Sequence, residues 1–545
     1  MKLLMKLFPA AVLVLSGLFS SCVSVERYNE KRAQPISVKK LQKDIDFVQK
    51  NLYARHPDYD YYTPKSVLDE RFDSLRKAIN RPMATNEFFV HISPVIASVH
   101  QGHMATMPAP RKVSRERKKY LKSKGAGPLQ QFDYQWEADH LYIIKNKSED
   151  STIRKGWELL AINDLEVQDI YTKYARTFSS DGYNQTAMPG FFARRVPTFY
   201  NEELGPLDSL SYTFKTDKGD RIVKEIRRAG KNPAAKTTVA DSLKHEVVKN
   251  DTAKTDTAVL AQKEHEKLKA QKEKEEQSKK VLYGYDKTKK EYIRSLKFYG
   301  DSTLAYLKIG QFGEGRYKKA YARLFDSIKN AGSEVLVLDL RDNPGGRAME
   351  ITELYKYFAD SAFKIYAPSK VSSKASLLNA GFYSRMPKAI WPFFSIYYPF
   401  YAVHRFVNTK KYADGNYYYA GLNGNKWKEP HENAFTGKVY LLVNGGSFSA
   451  ACLMASRLSV LPNVTIVGEE TGGDFNGTVA GIMPILHLPH SNIIWRIGLM
   501  HVRPLNRTDV RGRGIFPDQV FNQSVQDIVA GKDRALDWIL GQEKL

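Results

Sequence analysis

Apolar residues recur at three-to-four spacing between residues 37 and 105. Leu41, Ile45, Val48 and Leu52, with Phe47 beside them, form one stripe; Leu68, Phe72, Leu75 and Ile79 form the next. That period predicts helices, with a third over residues 87–100, so residues 37–110 read as an N-terminal helical domain. The rhythm then shortens. Apolar runs at 140–144 and 159–163, and the stretches Ser209–Lys215 and Arg221–Arg227, predict a β-rich unit over residues 125–228. From 291 to 530 strands and helices alternate: strands at 305–309, 334–340, 438–443 and 464–468, helices at 317–330 and 450–458. The predicted class is a multidomain α/β protein with an α/β core.

Two stretches break the pattern. Residues 229–290 run in Lys, Glu, Ala, Thr and Gln, with no aromatic before Tyr283. Such composition buries too little apolar surface to offset ordering entropy, so a charged insertion is predicted, either disordered or a lone helix over 259–280. The core is interrupted at 383–435 by an aromatic insertion. Its densest part, residues 389–403, contains Pro392 and Pro399, which argue against a spanning helix. It suits a bilayer interface, a hydrophobic substrate groove, or an insertion into the core.

At the N-terminus, Lys2 and Lys6 precede an apolar run over 7–19 that ends at Ser20, Ser21 and Cys22. This reads as a signal peptide over 1–21. Small residues before a cysteine resemble the bacterial lipobox, which implies lipidation at Cys22 and a tether over 22–36; an ordinary secretory signal is the alternative. The expected location is the cell envelope, as an outer-membrane lipoprotein facing the periplasm.

Charge sharpens the picture. The 83 Lys and Arg exceed the 59 Asp and Glu by 24. Residues 231–290 hold 15 Lys and 10 acids, so most of the surplus lies elsewhere. Residues 111–124 hold eight basic residues and one acid, either a solvated loop or a contact for an anionic surface. The export signal and the lack of a recognised motif argue against nucleic acid. Cys22 and Cys452 are the two cysteines, which excludes a disulfide framework and cysteine-based zinc sites. The 12 histidines show no His-Glu-x-x-His spacing, so no metal or cofactor is implied.

Two segments carry the chemistry. In Leu338-Asp339-Leu340-Arg341-Asp342-Asn343-Pro344-Gly345-Gly346 a buried strand ends in a Gly-rich turn before a helix, a place where backbone N–H groups can meet an oxyanion. In Val443-Asn444-Gly445-Gly446-Ser447-Phe448-Ser449-Ala450 a second buried strand does the same, with two serines at the start of a helix. Either serine suits a nucleophile or, more commonly, a helix N-cap.

Together these segments resemble the serine peptidase family of C-terminal processing (tail-specific) proteases and the tricorn core. Asp339, Leu340, Arg341, Asn343, Gly345 and Gly346 match its oxyanion strand, and Val443, Asn444, Ser449 and Ala450 its nucleophile strand. Gly468, Glu469, Thr471 and Gly473 match a third motif, and Gly514, Ile515, Pro517 and Asp518 a fourth. The stretch from Gly156 to Asp164 resembles the PDZ domain that precedes the core in this family. The resemblance implies a crotonase-like peptidase core and hydrolysis of protein or peptide substrates. Ser449 would be the nucleophile, and the Gly345 and Ala450 N–H groups the oxyanion donors.

The sequence also departs from the family. Where the processing branch has its base lysine, Asp474 stands, and Cys452 occupies that branch's glutamate position. The tricorn-like branch uses a histidine near the N-terminal helices; His103, after Gly102, fits best, with His100 the runner-up. That branch's glutamate falls on Arg511, which leaves Asp509 or Glu470 to orient the imidazole. The missing lysine keeps open an inactive, peptide- or lipid-binding form of the fold.

Overall fold

The structure is a computed structural model that describes residues 24–230, 252–378 and 391–545. The predicted signal peptide and Cys22 lie outside the described residues. Among those residues no helix is long and apolar enough to cross a membrane.

The helices Val38–Arg55, Lys65–Ala78 and Thr85–Ala97 bury Leu41, Ile45, Val48 and Leu52 against Leu68, Phe72, Phe88 and Ile92. Residues 25–33, expected as part of a tether, form the helix Val25–Ala33. Its own residues stay unburied, but Arg32 pairs with the buried Glu202 and donates to the Ala109 carbonyl at 2.6 Å. Residues 115–123, within the basic run, form a helix capped by the Ser114 hydroxyl.

A β-rich unit follows. Strands Phe132–Glu137, His140–Asn146, Glu158–Ile162, Ser209–Lys215 and Arg221–Arg227 pair in that order, all antiparallel. The helices Val167–Tyr174 and Ala187–Leu204 stand between its third strand and its return. The charged insertion enters the core as the long helix Thr252–Tyr283.

The core is a six-stranded sheet in the order Arg294–Tyr299, Leu304–Ile309, Val335–Asp339, Lys438–Val443, Val464–Gly468, Gln519–Val520. The first pair is antiparallel and the rest are parallel. Strand side chains alternate between faces. Leu304, Tyr306, Val335, Val337, Tyr440 and Leu442 pack on the terminal helix Arg534–Gln542, while Ala305, Leu307, Leu336, Leu338, Val439 and Leu441 face the main core. In parallel sheets ligands bind beyond the carboxyl ends of the strands, and both Gly-rich turns leave the two central strands at that end.

The aromatic insertion is less separate than its composition suggests. Its strands Thr409–Lys411 and Tyr417–Tyr419 join Ser369–Val371, Met500–Val502 and Thr478–Ala480 in one five-stranded sheet. Tyr418 and Tyr419 are buried there, so part of the aromatic content is core.

Candidate active site

Ser449 begins the helix Ala450–Leu458 with φ at +57° and ψ at −117°. A non-glycine residue held in such a region costs about 1–3 kcal/mol and persists only where its surroundings fix it. Those surroundings are the two turns, tied together. Ser447 Oγ donates to the Leu340 carbonyl at 2.8 Å, the Phe448 N–H donates to the Asn343 carbonyl at 2.9 Å, and Asn444 Oδ1 accepts from the Asp342 and Gly446 N–H groups. Gly345 is required by proximity. A Cβ there would stand 2.6 Å from the Ala450 nitrogen and 2.7 Å from the Ser449 Cβ.

Ser449 holds the N-cap position, yet its side chain makes no cap bond. Its hydroxyl meets His103 instead, with Oγ 2.9 Å from Nε2. Ser447 is the structural serine of the pair.

His103 arrives from the far side. Its segment follows the helix Thr85–Ala97 and continues into Thr106–Met107, which pairs with Ile494–Arg496. Arg496 Nε donates to the His103 carbonyl at 2.9 Å. The ring stacks on Phe448, centroids 5.0 Å apart, and Phe191 packs on Phe448 in turn. The imidazole is buried; that burial, with the Arg496 charge second, pushes its pKa down to about 3. It is therefore neutral near pH 7. With Nε2 facing the serine hydroxyl, Nδ1 carries the proton and donates to Thr478 Oγ1 at 2.9 Å.

Beyond Thr478 lies Asp181, fully buried. Its Oδ1 accepts the Gly102 N–H at 2.8 Å, next to His103 in the chain. Burial raises its pKa to about 7, and Thr478 stands near enough for its hydroxyl to offset part of that rise, although no hydrogen bond closes on Oδ2. The loop carrying Asp181 is a hub. The Gly182 N–H donates to the His100 carbonyl, Ser180 Oγ to Gly472 O at 2.5 Å, and Asn184 Nδ2 to Thr471 O at 2.8 Å. Neither Asp181 nor Thr478 was expected. The signal for the loop was its polar run Ser179-Ser180-Asp181-Gly182, which reads as a turn; nothing local marks Thr478.

The acids expected to orient the imidazole are elsewhere. Asp509 is exposed, and the partner of His103 Nδ1 is Thr478. Glu470 is clamped by Arg513 at 2.7 Å and by the Gly514 N–H at 2.7 Å. His100 points its ring toward Tyr183, centroids 5.8 Å apart. Asp474, at the branch-lysine position, is a buried acceptor for Tyr62 Oη at 2.6 Å and the Gly512 and Asn476 N–H groups, each at 2.8 Å. Cys452 is buried, and burial pushes its thiol up to about 12.

Of the two expected oxyanion donors, Gly345 is committed: its N–H donates to Asn343 Oδ1 at 2.9 Å. The next N–H, that of Gly346, makes no hydrogen bond among the described residues, and a Cβ at Gly346 would lie 1.8 Å from the Phe312 carbonyl oxygen. Ala450, the first helical residue, has no intrahelical acceptor for its N–H. No group of metal ligands occurs among the described residues.

The class this defines is a serine-type peptidase. Residues 303–521 match the model of peptidase family S41. The fold is similar to the crystal structure of mature CPAF, at 14% identity and a TM-score of 0.55 over 92% of this chain and 96% of that one. It is also similar to mature CPAF complexed with lactacystin, at 13% identity and a TM-score of 0.56 over 93% and 98%. A search of curated proteins found no match.

Proposed function

We propose that the chain is a lipid-anchored endopeptidase of the cell envelope whose nucleophile is Ser449 and whose base is His103. The observation that carries the chemistry is the 2.9 Å contact between Ser449 Oγ and His103 Nε2. Oγ attacks the scissile carbonyl as Nε2 takes its proton, and the imidazolium then protonates the leaving amine. A water repeats the sequence on the acyl-enzyme, releasing the acid and restoring the serine. The oxyanion donors are the N–H groups of Ala450 and, in place of Gly345, Gly346.

Thr478 and Asp181 are positioning residues in this reading. Thr478 Oγ1 fixes the Nδ1–H tautomer, and its own proton points toward Asp181 when that carboxyl is ionised. An imidazolium formed in a dry site needs a counter-charge, and Asp181 is the buried carboxylate beside the His103 segment. Because the Asp181 carboxyl titrates near 7, kcat/KM falls below about pH 7 in the wild type. Asp181→Asn lowers kcat and flattens that acid limb. A merely structural Asp181 would lower activity equally at every pH.

The anchor is Cys22, on the strength of the apolar leader and the small residues before it, with an outer-membrane location facing the periplasm. Protein or peptide chains are the substrates, and the β-rich unit over 125–228 docks them as a PDZ-like domain. The test is hydrolysis of an unfolded protein by the purified chain, with fractionation of cells expressing Cys22→Ser. The reading requires turnover lost in Ser449→Ala and release of Cys22→Ser from the membrane fraction. Turnover surviving in Ser449→Ala, or membrane retention of Cys22→Ser, overturns the corresponding half.

A further inference from the structure

The helices Trp391–Ser395 and Tyr398–Val407 are built inside out. Neither buries a residue, and the large side chains Phe393, Ile396, Tyr397, Phe400, Val403 and Val407 recur at three-to-four spacing on the solvent side. Phe393 is 71% exposed, Ile396 69% and Phe400 75%, values far from those of a core face. The inward side is held by polar atoms. Tyr398 Oη donates to the Leu378 carbonyl at 3.2 Å, Tyr401 Oη to the Leu377 carbonyl at 3.1 Å, and Arg405 Nη1 to Tyr419 Oη at 2.5 Å. The Arg405 guanidinium also covers the rings of Tyr401 and Tyr419. The pair is thus fastened by hydroxyls and a guanidinium, with its apolar stripe turned outward. A water-facing surface gains nothing from that arrangement, and exposed apolar patches of this kind mark an interaction site.

The rim shows what covers it. Among the described residues of 361–428, setting aside Lys370, paired with Asp58, and the inward Arg405, six lysines stand against one acid, Asp414. Lys374 reaches over Phe406, 4.1 Å from its ring, and Lys410 and Lys411 stand exposed just past the second helix. Aromatic side chains mixed with aliphatics and edged by lysines are the composition of a segment lying in the headgroup–acyl boundary. A second copy of this chain would bring the same basic rim and set like charges together. The short, Pro-containing helices are too short to cross a bilayer but long enough to lie in its surface.

We propose that this outward apolar face enters the interfacial layer of an anionic lipid bilayer, holding the peptidase core against the membrane independently of Cys22. The proposal stands on these residues alone and does not require the anchor or the catalytic roles.

The test uses the full chain carrying Cys22→Ser and Phe400→Cys. Cys452 is buried and its thiol is pushed up to about 12, so residue 400 offers the single reactive thiol for an environment-sensitive fluorophore. A matched chain carries the label at Val223→Cys, an exposed position on the edge strand of the β-rich unit. On adding phosphatidylcholine vesicles with phosphatidylglycerol, the label at 400 shifts to shorter wavelength and is quenched by spin-labelled acyl chains, while the label at 223 is unchanged. Vesicles without phosphatidylglycerol give a weaker response. Adding Phe393→Ser and Val403→Ser weakens vesicle binding by roughly tenfold or more, since two large apolar side chains leave the interface. Val407→Cys replaces Phe400→Cys if the latter lacks the wild-type thermal transition. A label at these positions that stays in water with both vesicle types overturns the proposal. So does a shift that follows protein concentration without vesicles, which would assign the face to a second copy.

Discussion

The serine side of the site rests on two Gly-rich turns whose polar atoms close on one another. The imidazole side rests on contacts between segments far apart in the chain. Ser447 ties its turn to Leu340, the residue that enters the partner turn, and every residue involved sits within a recognisable motif. His103 instead reaches Thr478 across 375 residues, and Gly102 reaches Asp181 across 79. The serine turns also meet across 107 residues, but they leave adjacent strands of one sheet, whereas packing between separate regions must deliver the imidazole. The serine turn therefore keeps its geometry wherever the core folds. The base is in place only when the helical region, the β-rich unit and the core are docked together.

The sharpest break of this contrast is Ser449→Ala. Peptide hydrolysis should drop by about a thousandfold or more, with thermal stability little changed, because the hydroxyl makes no cap bond and gives up only its contact with His103. A melting temperature lowered by several degrees would show that the serine hydroxyl supports the turn after all. Asp474→Lys attacks the docked side. A lysine there strands Tyr62 and two N–H groups around a buried cation, so it should cost about 3 kcal/mol or more and restore no activity. An active, folded Asp474→Lys would mean that a serine–lysine pair can be built at this position.

Thr478→Val tests the link between the halves. It removes the Nδ1 acceptor at nearly constant volume, so kcat should fall by about 10- to 100-fold with KM little changed, and Thr478→Ser should recover most of it. A drop shared by Thr478→Ser, or one confined to KM, would make Thr478 a packing residue. Acid unfolding probes the same side. His103 and His56 are buried and pushed down to about 3, so the folded chain binds fewer protons than the unfolded chain between that value and the ordinary 6.5. Their contribution is fully present above 6.5 and is lost as pH falls toward 3, at up to ~1.4 kcal/mol per pH unit for each histidine. Asp181, raised to about 7, has the opposite sign: it binds more protons when folded and destabilises as pH rises through that range. Denaturant titrations from pH 7 to 4 should therefore show stability falling in the wild type and falling more steeply in Asp181→Asn. The smallest effect belongs to Asp509→Asn, which should change kcat/KM by less than about twofold, as befits an exposed side chain. A large loss there would restore it as the orienting acid.

How much the sequence revealed follows the same division. The central strands were legible because Val335–Asp339 and Lys438–Val443 are buried on both faces and read as unbroken apolar runs. Ser449 was legible because strand, glycines and helix are contiguous. His103 could be nominated by its neighbours alone, since a histidine after a helix has no signature of its own. Thr478 and Asp181 were illegible: the first is one of three residues in a short buried strand, and the second sits in a turn. Their role depends on which loops meet, a property of the tertiary fold. Asp509 and Glu470 were attractive because they stand near motifs in sequence, but Arg513 had already claimed Glu470 and solvent had claimed Asp509. The residues over 391–407 were recognised as aromatic, but which face they present is fixed by hydroxyls that meet backbone carbonyls at Leu377 and Leu378.

The central claim is that Ser449 is an activated nucleophile because His103 reaches it. The most direct measurement is peptide mapping, by mass spectrometry, of the chain treated with a fluorophosphonate. A single phosphonyl adduct at Ser449 in the wild type, absent in Ser449→Ala and strongly slowed in His103→Ala, is the predicted result. An unmodified Ser449 in a folded wild-type chain, or labelling at the same rate in His103→Ala, would contradict it and leave the fold as a peptide- or lipid-binding form of the peptidase.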